Sequence, residues 1–198
     1  MRIIKPGEKI SKSEVKLFAK MAAQAYVNDP VHTYATKDEE KRKEFVYHFM
    51  TERLSTSNGQ DYFYIDDENR GVCVWRKAHN EYTFFDFMKC PHWFFLYIHL
   101  PNTVRTLSAY SALDVKKFDE KTWIISPVFV SPEHQGKGIA TELITRSIKD
   151  LTEKGYNLGL EAQDMKNVRF YEKLGFRVFD KDYYKKGKIE HYYMIYDK

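Results

Sequence analysis

The stretch Gln135-Gly136-Lys137-Gly138-Ile139-Ala140-Thr141 stands between two very different patterns. Before it, Val128-Phe129-Val130 is an apolar, β-branched run that breaks at Ser131-Pro132. After it, Leu143, Ile144, Ile148 and Leu151 recur at helical spacing. The order predicts strand, tight loop and helix. Glycines let a loop backbone approach a ligand closely, and the first N–H groups of a helix lack intrahelical acceptors and carry partial positive charge. The chemistry this suits is the binding of a phosphate or pyrophosphate.

Two other phosphate loops are excluded by residue type. A P-loop requires Ser or Thr directly after Gly-Lys, and Gly138 follows Lys137. A dinucleotide fingerprint requires a third glycine at the position that Thr141 fills. Gln135, Gly138 and Ala140, as Gln-x-x-Gly-x-Ala, instead resemble the acyl-CoA loop of the GCN5-related N-acetyltransferase (GNAT) superfamily. A second block is Leu158-Gly159-Leu160-Glu161-Ala162 followed by Asn167-Val168-Arg169-Phe170-Tyr171-Glu172-Lys173-Leu174-Gly175-Phe176. It is similar to the strand, short helix and Gly-Phe turn that come after the loop in that family. The two blocks lie within residues 121–180, under half of the chain.

The resemblance implies an α+β fold: a mixed, mostly antiparallel sheet flanked by helices, with the acyl-CoA loop between a central strand and a helix. It implies acetyl-CoA as cosubstrate and no metal. The backbone N–H groups of Gly136, Lys137, Gly138, Ile139, Ala140 and Thr141 would hold the CoA pyrophosphate, with Gln135 in the same loop and Lys137 adding a point charge. The main chain of Val128, Phe129 and Val130 would pair with the pantetheine arm like an added strand, and the strand around Leu160–Ala162 would splay away to admit it. The Val130 N–H would then stabilise the oxyanion. Tyr171 falls where many members use tyrosine as general acid toward the departing thiolate, and Asn167 where both capping and CoA contact are implied. An amine acceptor must lose a proton before it attacks. Glu161, on the strand beside the thioester, is the expected base because burial would tune its carboxyl upward; Asp164 and His191 are weaker candidates, and His134 reads as a solvent-exposed loop residue.

These residues need a scaffold, and the chain supplies its signals. Arg2–Ile4 forms a short strand; Ser11 with Glu14 makes a capping box for a helix with Val15, Phe18, Ala19, Ala22, Ala25 and Tyr26 on one stripe. Asn28-Asp29-Pro30 ends that helix, and Thr36 with Glu39 opens a second one, with Phe45, Val46, Phe49, Met50 and Leu54 inward. Tyr62–Ile65 and Val72–Trp75 are strands around the turn 66–71. Across 81–118, Phe84, Phe85, Phe87 and Met88 have helical character, Pro91 and Pro101 punctuate, and 104–117 reads as weak helix. Then come a strand at 123–130, a helix at 138–154 closed by Gly155, a strand at 157–162, a short helix at 167–174 stopped by Gly175, and a strand pair at 176–179 and 189–196.

Length and composition predict one domain over residues 1–198, and the resemblance implies that it is an N-acetyltransferase domain. Residues 1–120 form its acceptor-side half, with an irregular insert at 81–118, and residues 121–198 its acetyl-CoA-binding half. The net charge of +4 permits attraction to a polyphosphate but falls short of a nucleic-acid footprint. Cys73 and Cys90 are too few for a disulfide framework or metal site. The start Met1-Arg2-Ile3-Ile4-Lys5-Pro6 lacks a signal-peptide core, and the apolar run at 93–100 is too short to span a bilayer. A cytoplasmic protein follows, with neither nucleic acid nor membrane as partner and homodimerisation left open.

The expected activity is acetyl transfer from acetyl-CoA to a primary amine by direct attack in a ternary complex. A small-molecule amine with apolar or aromatic bulk is the expected acceptor, because Tyr26, Tyr34, Tyr47, Trp75, Phe84, Phe85 and Tyr192 crowd the segments that frame its site. Two alternatives stay open: an acyl-CoA-binding regulatory protein on the same fold without turnover, and a protein or peptide amine acetyltransferase.

Overall fold

Alternation along one strand explains how the molecule is layered. In β3 (Gly71–Lys77), Val72 and Val74 join one core, and Cys73 and Trp75 join another on the opposite face. Both faces of the sheet are therefore covered. The computed structural model describes residues 1–79, 95, 99–111 and 115–197. The expected helical stretch at Phe84, Phe85, Phe87 and Met88, together with Cys90 and Pro91, lies outside them.

The chain runs β1 (Arg2–Ile4), α1 (Lys12–Tyr26), α2 (Pro30–Ala35), α3 (Glu39–Ser57), β2 (Tyr62–Ile65), β3, α4 (Leu100–Ser111), β4 (Thr122–Val130), α5 (Ile139–Thr152), β5 (Asn157–Ala162), α6 (Met165–Glu172), β6 (Phe176–Tyr184) and β7 (Ile189–Tyr196). The seven strands form one sheet in the order β1-β2-β3-β4-β5-β7-β6. Every neighbouring pair is antiparallel except β4–β5. On one face, α1 and α3 press Phe18, Ala22, Phe45, Val46 and Leu54 against Phe63, Val72, Val74 and Phe129. On the other, α5 buries Leu143, Ile144, Ile148 and Leu151 against Tyr64, Trp75, Ile125 and Leu160. Full burial of each such side chain contributes about 1.5–3 kcal/mol. Gly71 sets the fit of α5: a Cβ there would meet Ile139 and Val130 methyls at 3.0 Å and Leu143 at 3.2 Å.

The capping box at Ser11 and Glu14 is present as expected. The next boundary differs. Asp29 and Pro30 do end α1, but they also start α2, with the Asp29 carboxylate accepting from Val31 N–H at 2.9 Å and Pro30 in the first turn. Thr36 consequently closes α2, and α3 is opened by Asp38, which accepts from Lys41 N–H. Buried Arg42 donates to the carbonyls of Val27, Thr36 and Lys37, fixing the corner where the three helices meet. The expected helix at 104–117 is instead α4, starting at Leu100, followed by one tight turn at Val115–Lys117. β6 runs past Phe179 to Tyr184.

The sheet splits in its middle. β4 and β5 pair only over Thr122–Ile124 and Asn157–Gly159, and from Leu160 onward β5 pairs with β7 alone. Just beyond the split, Ser126 and Pro127 together oppose Val74, a bulge that bends β4 away.

Candidate active site

Ser131 N–H donates to the Arg70 carbonyl at 2.8 Å, so Arg70 and Ser131 are a hydrogen-bonded pair at the end of the β3–β4 ladder. Alternation then turns the Phe129 main chain toward β3 and the Val128 and Val130 main chains toward the split. Two side-chain bonds agree. Tyr26 Oη donates to the Val128 carbonyl at 2.6 Å, and Gln135 Nε2 donates to the Val130 carbonyl at 3.1 Å. Half of β4 is thus a strand edge that no other strand pairs.

The loop beyond that edge takes its shape from glycine. Gly136 and Gly138 have φ of +75° and +83°, in the left-handed region that β-carbons disfavour. Gly138 caps α5 and has no side chain to bond, and Glu142 N–H is the first to return to its carbonyl. The N–H groups of Ile139, Ala140 and Thr141 are left for a ligand. Ser131 Oγ and His134 Nδ1, 2.9 Å apart, steady the start of the loop.

A cavity of about 630 Å³ opens along these groups. Val128, Phe129, Val130, Gln135, Gly136, Gly138, Ile139, Ala140, Thr141 and Asn167 all line it, together with Tyr171. Lys137 is exposed and does not. Asn167 is not the cap of α6; Asp164 is, accepting from Asn167 N–H at 2.7 Å and from its side-chain amide at 3.0 Å.

A second cavity of about 390 Å³ lies against the split from the α1/α3 side. Tyr26, Asp29, Val128 and Tyr171 belong to both, so the two cavities meet at these four residues. Glu161 lines the second cavity only. Its neighbours Leu160 and Ala162 pack under α5, which turns Glu161 to the other face of β5.

The polar groups here are tuned by burial. Burial holds the Tyr171 hydroxyl well above the usual tyrosine range, so it stays protonated as a donor. Its ring is set edge-on to Phe170 and Phe176, at 5.2 and 5.9 Å between centroids. No described residue hydrogen-bonds its hydroxyl. Burial also raises the Glu161 carboxyl, against the opposing pull of His191 and Gln163. Fully buried His191 faces Glu161 Oε1 from Nδ1 at 2.5 Å. Asp29, a residue that the sequence marks only as a helix stop, has its carboxyl raised to about 7 by burial and by the charges of Glu161 and Asp164. Asp164 is occupied by capping, and His134 by Ser131.

Of the rings expected around the acceptor, only Tyr26 among the described ones lines the second cavity. Trp75 is core, its indole donating to Ser147 Oγ at 2.8 Å; Tyr34 packs on Tyr184, Tyr47 on His48, and Tyr192 donates to Glu190. Phe84 and Phe85 lie outside the described residues. Phe49 and Tyr110 line the cavity instead, from helices whose inward faces the strand-and-loop motifs do not reveal.

The split sheet thus places a glycine loop with free helix N–H groups at the end of its central strand, beside an unpaired strand edge. The sequence model of the Acetyltransferase (GNAT) family matches residues 34–176, and the chain belongs to that family and is an acyltransferase. It is similar to an N-acetyltransferase from Staphylococcus aureus Mu50, with a TM-score of 0.61 and 15% identity over 98% of this chain and 100% of that one. It is also similar to the PaiA N-acetyltransferase from Thermoplasma acidophilum in complex with coenzyme A, with a TM-score of 0.56 and 15% identity over 100% of both chains. At these identities the likeness is one of fold. An L-methionine sulfoximine/L-methionine sulfone acetyltransferase from Salmonella typhimurium is 33% identical over 69 residues, 33% of this chain and 40% of that relative's length. Among the described residues no His, Cys, Asp and Glu cluster could hold a metal ion, and no helix is long and apolar enough to cross a membrane.

Proposed function

We propose that this enzyme transfers acetyl from acetyl-CoA to the primary amine of a small molecule by direct attack in a ternary complex. The observation that carries the reading is the meeting of the two cavities at Tyr26, Asp29, Val128 and Tyr171. One cavity has the groups a nucleotide thioester needs: free helix N–H groups and an unpaired strand edge. The other has carboxylates for an amine, Glu161 and Asp29.

In this reading the N–H groups from Gly136 to Thr141 bind the pyrophosphate, where the end of a helix contributes about 0.3–2 kcal/mol toward an anion. Lys137 adds an exposed charge beside the loop, and Asn167 closes the other wall. The main chain of Val128, Phe129 and Val130 aligns the pantetheine arm, with Val128 and Val130 offering groups toward the split. Acetyl-CoA supplies the activated acetyl group. Glu161, held by His191, accepts the amine proton, and Val130 N–H faces the oxygen on which charge develops. Tyr171 gives its proton to the departing sulfur. The methionine sulfoximine acetyltransferase among the relatives supports a small acceptor over a peptide.

The test is Gly138→Asp. Nothing lies within 4 Å of a Cβ at this position, so Asp meets no clash. The left-handed φ adds local strain, which Asp bears better than most residues, and circular dichroism checks that the variant is folded. A carboxylate beside the free N–H groups should abolish CoA binding in calorimetry and, with it, thiol release from acetyl-CoA with an amine panel. Unchanged CoA affinity in the folded variant would overturn the assignment. CoA binding by the wild type with no turnover on any amine would favour the regulatory alternative.

A further inference from the structure

The acceptor cavity has two electrical poles. Asp29 and Glu161 are its carboxylates, and Asp29 is part of the wall shared with the cofactor-side cavity. Arg53, Arg76 and Lys116 also line it, three cations on elements outside the loop and its helix. Arg53 is the informative one. It sits in α3, partly buried, and its guanidinium donates to Ser126 Oγ on the bulge of β4. Among the described residues no carboxylate lies within ion-pair distance of it.

A guanidinium partly withdrawn from water has a reason to take a counter-charge, and its single hydroxyl contact leaves most of its five donors available. Its planar fork matches a carboxylate through two parallel hydrogen bonds. A polyamine would set a second ammonium against Arg53. A simple arylalkylamine would leave the partly buried guanidinium without a counter-charge. An amine that also bears a carboxylate answers both poles.

We infer that the acceptor is an amino acid or a close analogue: an amine carrying a carboxylate, which Arg53 binds while the amine lies toward Glu161. This rests on the acetyl-transfer reading above and narrows its substrate class. Phe49, Tyr26 and Tyr110 leave an apolar wall for the remainder of the molecule.

The experiment compares matched pairs, each an amino acid and its decarboxylated amine, with phosphoethanolamine as a third arm, in wild type, Arg53→Met and Arg53→Lys. Initial rates follow thiol release. In parallel, calorimetry on CoA-saturated protein follows amino-acid binding, and retained CoA affinity certifies that each variant is folded. In wild type the amino-acid member should be preferred in kcat/KM. Arg53→Met should collapse the ratio within each pair by about 10-fold to 100-fold, the range that a charged hydrogen bond supports, and should weaken amino-acid binding alike. Arg53→Lys should keep part of the ratio. A wild type that prefers the decarboxylated members, or a ratio untouched by Arg53→Met, would overturn the inference and leave acetyl transfer standing. Preference for phosphoethanolamine would overturn the carboxylate assignment. Arg53-dependent amino-acid binding with no turnover would uphold the inference and sink the acetyl-transfer reading instead.

Discussion

Glu161 Oε1 and His191 Nδ1 lie 2.5 Å apart, joining β5 to β7 on the side of the sheet that faces the acceptor cavity. With Glu161 ionised, the ring donates from Nδ1. The other ring nitrogen, Nε2, is buried and has no hydrogen-bond partner among the described residues. The ring's contact from Nδ1 holds the Glu161 carboxylate in place.

In the proposed mechanism this pair should set the acidic limb of the pH–rate profile. Burial raises the Glu161 carboxyl and the bond from His191 lowers it, so activity should rise with pH through a midpoint above the ordinary carboxylate range. In His191→Phe the lowering contribution is gone and the midpoint should move to higher pH. In Glu161→Gln the limb should disappear and kcat fall by about 100-fold to 10,000-fold, with CoA affinity kept. A profile that is the same in His191→Phe as in wild type would remove His191 from this role.

Tyr171 is tested by removing a single oxygen. Tyr171→Phe keeps the ring contacts with Phe170 and Phe176 and loses only the hydroxyl. CoA affinity should barely change, and turnover should fall at least about 100-fold where protonation of the thiolate limits the rate. Turnover at wild-type speed would leave Tyr171 as a packing residue.

Stability should also carry a pH signature, from His32. This ring is fully buried between Phe49 and Tyr110, and burial together with the Arg42 charge holds its pKa down at about 3. The unfolded chain takes up the proton near pH 6.5, the folded one only near 3. The stabilisation is thus complete above pH 6.5 and lost as pH falls toward 3, by up to about 1.4 kcal/mol per unit. Urea melts at pH 7 and pH 5 should show the difference, and His32→Leu should flatten it. An equal pH slope in that variant would assign the effect to other groups.

The loop and the elements on either side of it were legible because their signals are local: a strand of β-branched residues, two glycines that only left-handed φ explains, and an amphipathic helix. The same holds for the capping box at Ser11 and Glu14. Asp29 was missed because Asp-Pro marks the end of one helix and the start of the next with the same residues. Its carboxyl is raised first by burial in the folded chain, and the charges of Glu161 and Asp164, more than 130 positions away, add to it. Alternation in β5 sets Asn157, Gly159 and Glu161 apart from Leu158, Leu160 and Ala162, but which cavity the Glu161 face meets depends on helices packed from elsewhere in the chain. The aromatic half misled in another way. Among the described residues most tyrosines and phenylalanines pack in or against the two main cores, and composition cannot sort the few that line a cavity from those that do not.

The unpaired edge of β4 bears on solubility as well as on binding. An open strand edge in mid-sheet is a template for the strand of another chain, and proteins ordinarily blunt such edges. Here the blunting is done by walls. The α1–α2 corner stands on one side and α6 on the other, and the Tyr26 hydroxyl already claims the Val128 carbonyl. A neighbouring strand would need about 4.8 Å of lateral room along its whole length, with side chains above and below. The walls that would border a bound ligand thus also stand in the way of a strand from a second copy.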